Sequence, residues 1–141
     1  HNYVSNTDMI IAMLHLGFVW LGVGWLLSGV QGLLHTAGIS ALGLAPLHAL
    51  AVGYFATMTV AMVSRVTLGH SGRPLVADTL TWSLALGLHA VAFVRLLADL
   101  LPAGQAFLLA LAGVGWLAVF TLLAMIFVPI YLCRRADGKA G

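Results

Sequence analysis

Four long apolar runs separated by short polar breaks organise the chain, and they predict helices over about 8–30, 46–68, 76–100 and 105–132. At about 1.5 Å of rise per residue, each is long enough to cross a hydrocarbon layer roughly 30 Å thick. The first run is uncharged from Met9 to Val30, with Thr7 and Asp8 as candidate caps for its start. Gln31 to Ala45 is glycine-rich and is expected to be a loop, and Pro46 suits the first turn of the next helix. In the second run Ala49, Gly53, Thr57 and Ala61 recur every four residues, a ridge of small side chains for close helix packing, and Arg65 is next in that register. Gly69, Gly72 and Pro74 predict a tight polar loop from Gly69 to Leu75. The third run carries His89, and Arg95 and Asp99 four residues apart on one helix face. Pro102 and Gly104 then make a turn into a fourth run that has neither charge nor histidine. The expected fold is all-α, a single transmembrane domain over 1–141 built as a bundle of four helices.

Composition agrees with the pattern: 62% hydrophobic and 7% charged residues are far from the usage of soluble domains. The few Lys and Arg are too dispersed for a nucleic-acid surface, so the expected partners are the lipid bilayer and other transmembrane helices or subunits. One cysteine, Cys133, excludes an intrachain disulfide and a Cys-cluster metal site. Four spans put both termini on one side, together with Arg65, Arg73, Arg134, Arg135 and Lys139, and leave Arg95 on the other. The positive-inside rule makes the side of the termini cytoplasmic. The chain opens on His1 without a basic segment ahead of a short apolar core, so a processed chain or a piece of a longer one is expected rather than a signal peptide.

Ionisable residues inside membrane spans are costly, and their default reading is functional. A single histidine can be held by one helix–helix hydrogen bond, but several in one small bundle favour ligation. His48 and His89 both fall in the outer half, so a shared b-type haem with two axial imidazoles is one reading. His15 lies deeper on the inner side, nearer Met13 and Met62, a donor set that suits Cu(I), although methionine also fills apolar gaps. Arg65 and Arg73 bracket Gly69-His70-Ser71-Gly72, where donors for a haem propionate or a small anion are concentrated; the bland reading makes them topology anchors. Arg95 and Asp99 read as an interfacial ion pair. Phosphate loops, nucleophile–base pairs and glutamates are all absent, so the reading leans away from catalysis. Two rivals stand beside cofactor binding: a cofactor-free accessory or structural subunit that packs its small-residue ridges into a larger membrane complex, and a small anion transporter using Arg65 and the His70 loop.

The run Leu47-His48-Ala49-Leu50-Ala51-Val52-Gly53, then Met58 through Ser64-Arg65 and Thr67-Leu68-Gly69-His70-Ser71-Gly72-Arg73-Pro74, resembles the signature of the NnrS family. The opening Met13-Leu14-His15-Leu16-Gly17-Phe18-Val19-Trp20 and the closing Arg135-Ala136-Asp137-Gly138-Lys139-Ala140-Gly141 are similar to it too. The resemblance implies a multi-span protein of the bacterial cytoplasmic (inner) membrane that contains haem and copper and serves nitric oxide metabolism or the response to nitrosative stress, with nitric oxide as ligand. Carried over by position, it implies His15, His48, Arg65, His70 and Arg73 as cofactor-binding candidates, with His15, His48 and His70 as metal ligands. It leaves open which of them serve haem b and which copper. His89 matches none of the family's motifs. The family's chains are longer, and the likeness is to their C-terminal third.

Overall fold

A computed structural model describes residues 3–73 and 79–133, with side chains from residue 11 onward. Among them the chain is all helix: α1 (Tyr3–Thr36), α2 (Ala45–His48), a π-helical segment (Ala49–Ala56), α3 (Thr57–His70), α4 (Thr79–Leu100) and α5 (Gln105–Leu132). α2, the π-helical segment and α3 run on as one span, Ala45–His70, so four helices are long and apolar enough to cross a membrane.

The first helix is longer at both ends than the apolar run. It starts at Tyr3, because nothing from Tyr3 to Asp8 breaks a helix, and Thr7 and Asp8 therefore lie inside it rather than capping it. It also takes in Gln31 to Thr36, the first part of the expected loop. It stops where Gly38 takes φ 75°, and the Ile39 amide turns back 2.9 Å to the Leu34 carbonyl. The same device ends α3. Gly69 and His70 are its last residues rather than loop, Gly72 takes φ 70°, and the Arg73 amide reaches the Leu68 carbonyl at 3.2 Å. Pro74 and Leu75, the first residues of the expected third span and the basic tail Arg134, Arg135 and Lys139 lie outside the described residues.

The spans pack in layers along the bundle. At one end Ala45, Ala49 and Leu96 are buried with Trp20, Val23, Leu27 and Leu100 around them. Toward the other end Met13, Ala61 and Ala85 form a second buried layer. A third cluster, Val60, Leu84, Leu88, Val119, Leu123 and Phe127, seats α5 on α3 and α4. With apolar residues on every face, hydrophobicity alone cannot choose which face turns inward in lipid; small side chains that let backbones approach do so. The expected ridge behaves this way, with Ala49, Gly53, Thr57 and Ala61 all buried. After Ala61 the inward register passes to Ser64 and Thr67, leaving Arg65 exposed. The ridge is thus used inside the chain, against α1 and α4, rather than offered to another subunit.

Candidate functional site

The antiparallel run of the second and third spans brings the start of one beside the end of the other. His48, in the last position of α2, meets Asp99, in the last turn of α4. The His48 Nδ1–H donates to Asp99 Oδ2 at 2.6 Å, and the Arg95 guanidinium, one turn back on α4, donates to Asp99 Oδ1 at 2.8 Å. Asp99 is nearly enclosed, its side chain only 7% exposed, while His48 and Arg95 keep 18% and 20%. A carboxylate so placed is stable only with partners for both oxygens, and it has them. In the neutral imidazole the proton on Nδ1 leaves a lone pair on Nε2, which has no hydrogen-bond partner among the described residues. This is the arrangement in which a carboxylate fixes the tautomer and ring orientation of a ligating histidine.

His89 is set up the opposite way. The Trp20 indole N–H donates to His89 Nδ1 at 2.9 Å, so the proton of the neutral ring is on Nε2. Trp20 reaches it because Gly53 has no side chain: a methyl group there would collide with the indole. His89 and Asp99 are ten residues apart on α4, a rise of about 15 Å. The structure therefore does not bring His48 and His89 onto a common iron.

The other candidates are dispersed. The His15 Nδ1–H donates to the Ile11 carbonyl at 2.8 Å and the ring is exposed, whereas Met13, two residues away and so on the far side of the helix, is buried. Met62 is exposed on α3. His15, Met13 and Met62 thus do not form one donor set. Arg65, His70 and Arg73 are all exposed at the opposite end of the bundle from His48. Among the described residues no three His, Cys, Asp or Glu side chains group in a way that could hold a metal ion.

Two partners were not foreseen from sequence, Asp99 for His48 and Trp20 for His89. The first left a signal. Asp99 is the only acidic residue between Thr79 and Leu132, and it ends one span at the height where its antiparallel neighbour begins with His48.

A bundle of four membrane-spanning helices whose enclosed carboxylate holds an imidazole at one end is a multi-pass membrane protein with a candidate ligand-binding histidine. The chain belongs to the NnrS family: the family model described as NnrS protein matches residues 1–135. Membership is consistent with a nitric oxide-related membrane protein. No individual curated protein and no solved structure matches the chain.

Proposed function

We propose that this is a haem-binding protein of the bacterial inner membrane, acting in nitric oxide metabolism or the response to nitrosative stress, in which His48 would hold the haem. The observation that carries the reading is the Asp99-held His48 ring with its free Nε2. The donor set suits haem better than a bare ion. Haem iron brings four nitrogens of its own and needs one well-oriented imidazole, whereas a copper ion draws its whole coordination from protein donors. Copper at His48, His15 or His70 would need further donors, since no three His, Cys, Asp or Glu side chains group around any of them among the described residues. His89 lies about 15 Å lower on its helix with Nδ1 taken up by Trp20, so His48 alone of the two would hold the haem, and the haem, when bound, would supply the iron to which nitric oxide binds.

In this reading the chain's residues have separate tasks. Asp99 holds the proton at His48 Nδ1 and leaves the lone pair at Nε2, and Arg95, bonded to the other carboxylate oxygen, keeps Asp99 aimed. In this reading Arg65 and Arg73 anchor the topology on the cytoplasmic side by the positive-inside rule, and the His48 end faces the outer side. The rival reading, a cofactor-free packing subunit, loses its main support because the small-residue ridge is buried within the chain itself.

The test is a reduced-minus-oxidised absorption spectrum of the purified chain in lipid nanodiscs, with iron and copper measured on the same sample. A sharp b-type band that shifts on adding nitric oxide is expected. A haem-free protein after reconstitution with haemin contradicts the proposal.

A further inference from the structure

The span Ala45–His70 contains an eight-residue π-helix, Ala49–Ala56, directly after His48. Such segments are rare, and they occur mostly as single turns. Its effect is visible in which residues face inward. Ala45, Ala49, Gly53, Thr57 and Ala61 are buried, and Leu47, Ala51, Phe55 and Thr59 are exposed, so both stripes keep a spacing of four. An α-helix turns about 100° per residue, and a four-residue step overshoots a full turn by about 40°. From Ala45 to Ala61 the stripe would drift about 160° around such a helix. Wider turns, closed by bonds from residue i to i+5 at roughly 80° per residue, remove that drift.

The consequence for the site is large. In an uninterrupted α-helix His48, nine residues before Thr57, would stand about 180° from it and face lipid while Thr57 faced the bundle. In the structure both face inward: Thr57 is buried and His48 is bonded to Asp99. Two features hold the wide turns. The Thr57 hydroxyl donates to the Gly53 carbonyl, with the Tyr54 carbonyl a second acceptor at 3.1 Å, where the π-helical segment passes into α3. Gly53 admits the Trp20 indole against the segment's backbone.

We propose that the π-helical segment is the positioning element for His48: its wide turns bring the imidazole to Asp99, and Thr57 and Gly53 are the positioning residues that maintain them. The functional consequence rests on His48 as ligand, but the geometry is testable without any cofactor. In a Cys133→Ser background, single nitroxide labels at Leu47, Leu50, Ala51, Tyr54, Phe55, Met58 and Thr59 report exposure to oxygen dissolved in the lipid. Maxima at Leu47, Ala51, Phe55 and Thr59 are expected; maxima at Tyr54 and Met58, the spacing of an α-helix, overturn the proposal.

The second measurement is the magnetic-resonance contact between His48 Nδ1 and the Asp99 carboxyl carbon in isotope-labelled protein. Thr57→Val should abolish this contact, and Thr57→Ser, which keeps the hydroxyl, should retain it. A contact that survives in Thr57→Val, or is lost equally in Thr57→Ser, overturns the role of the hydroxyl, and the label scan of the parent chain decides the rest even where a variant fails to fold. Failure of the parent chain to bind haem would sink the functional reading and leave these outcomes unchanged.

Discussion

His48 and His89 are the same side chain in the same kind of place, partly buried between helices of one bundle, yet they are opposites chemically. At His48 the Nδ1–H donates to a carboxylate and Nε2 keeps its lone pair; at His89 Nδ1 accepts from Trp20 and the free nitrogen carries the proton. One ring is ready to bind an electrophilic centre, and the other pins α4 to α1. The partner on Nδ1, more than burial or residue type, decides which ring nitrogen keeps a lone pair free to bind a ligand.

The widest separation is expected from removing each ring. His48→Ala should abolish the haem absorption band while the protein stays helical and inserted, and His89→Ala should keep the band; paired spectra with circular dichroism check this. Next comes the orienting carboxylate. Asp99→Ala should weaken haem binding by about 10- to 100-fold, the usual cost of losing such a partner, read by titrating the apoprotein with haemin. A smaller effect is expected at the structural pair. Trp20→Phe removes one interhelical hydrogen bond and should lower unfolding free energy by about 0.6–2 kcal/mol in detergent titrations, with a smaller change in haem affinity than Asp99→Ala. Smallest of all should be Arg73→Gln at the far end of the bundle, which should leave haem affinity within about twofold, since no contact from its exposed side chain reaches the His48 end.

Much of this was legible in the residues. Run lengths and the absence of charge are enough for four spans, and the spacing of Ala49, Gly53, Thr57 and Ala61 marks the packed face. From Ala45 to Ala61 that spacing drifts about 160° around an α-helix, and the π-helical segment that keeps it on one face was not legible from spacing alone, because four-residue ridges are also common on ordinary α-helices. Helix ends were less legible. Gly69 and His70 stay helical because Gly72, not Gly69, takes the left-handed turn, a choice settled by capping bonds that composition does not reveal. At the site, depth along the spans puts His48 and Asp99 at one end, but it cannot tell which way each ring turns. The Trp20–His89 bond depends on Gly53 leaving room for an indole, a steric match between three spans.

The most direct test of the account is nitrogen-15 magnetic resonance of the histidine-labelled protein in lipid at neutral pH, with each ring assigned by substitution. His48 should be protonated on Nδ1 with a bare Nε2, and His89 protonated on Nε2 with a bare Nδ1. The reverse assignment, or one tautomer shared by both rings, would contradict it.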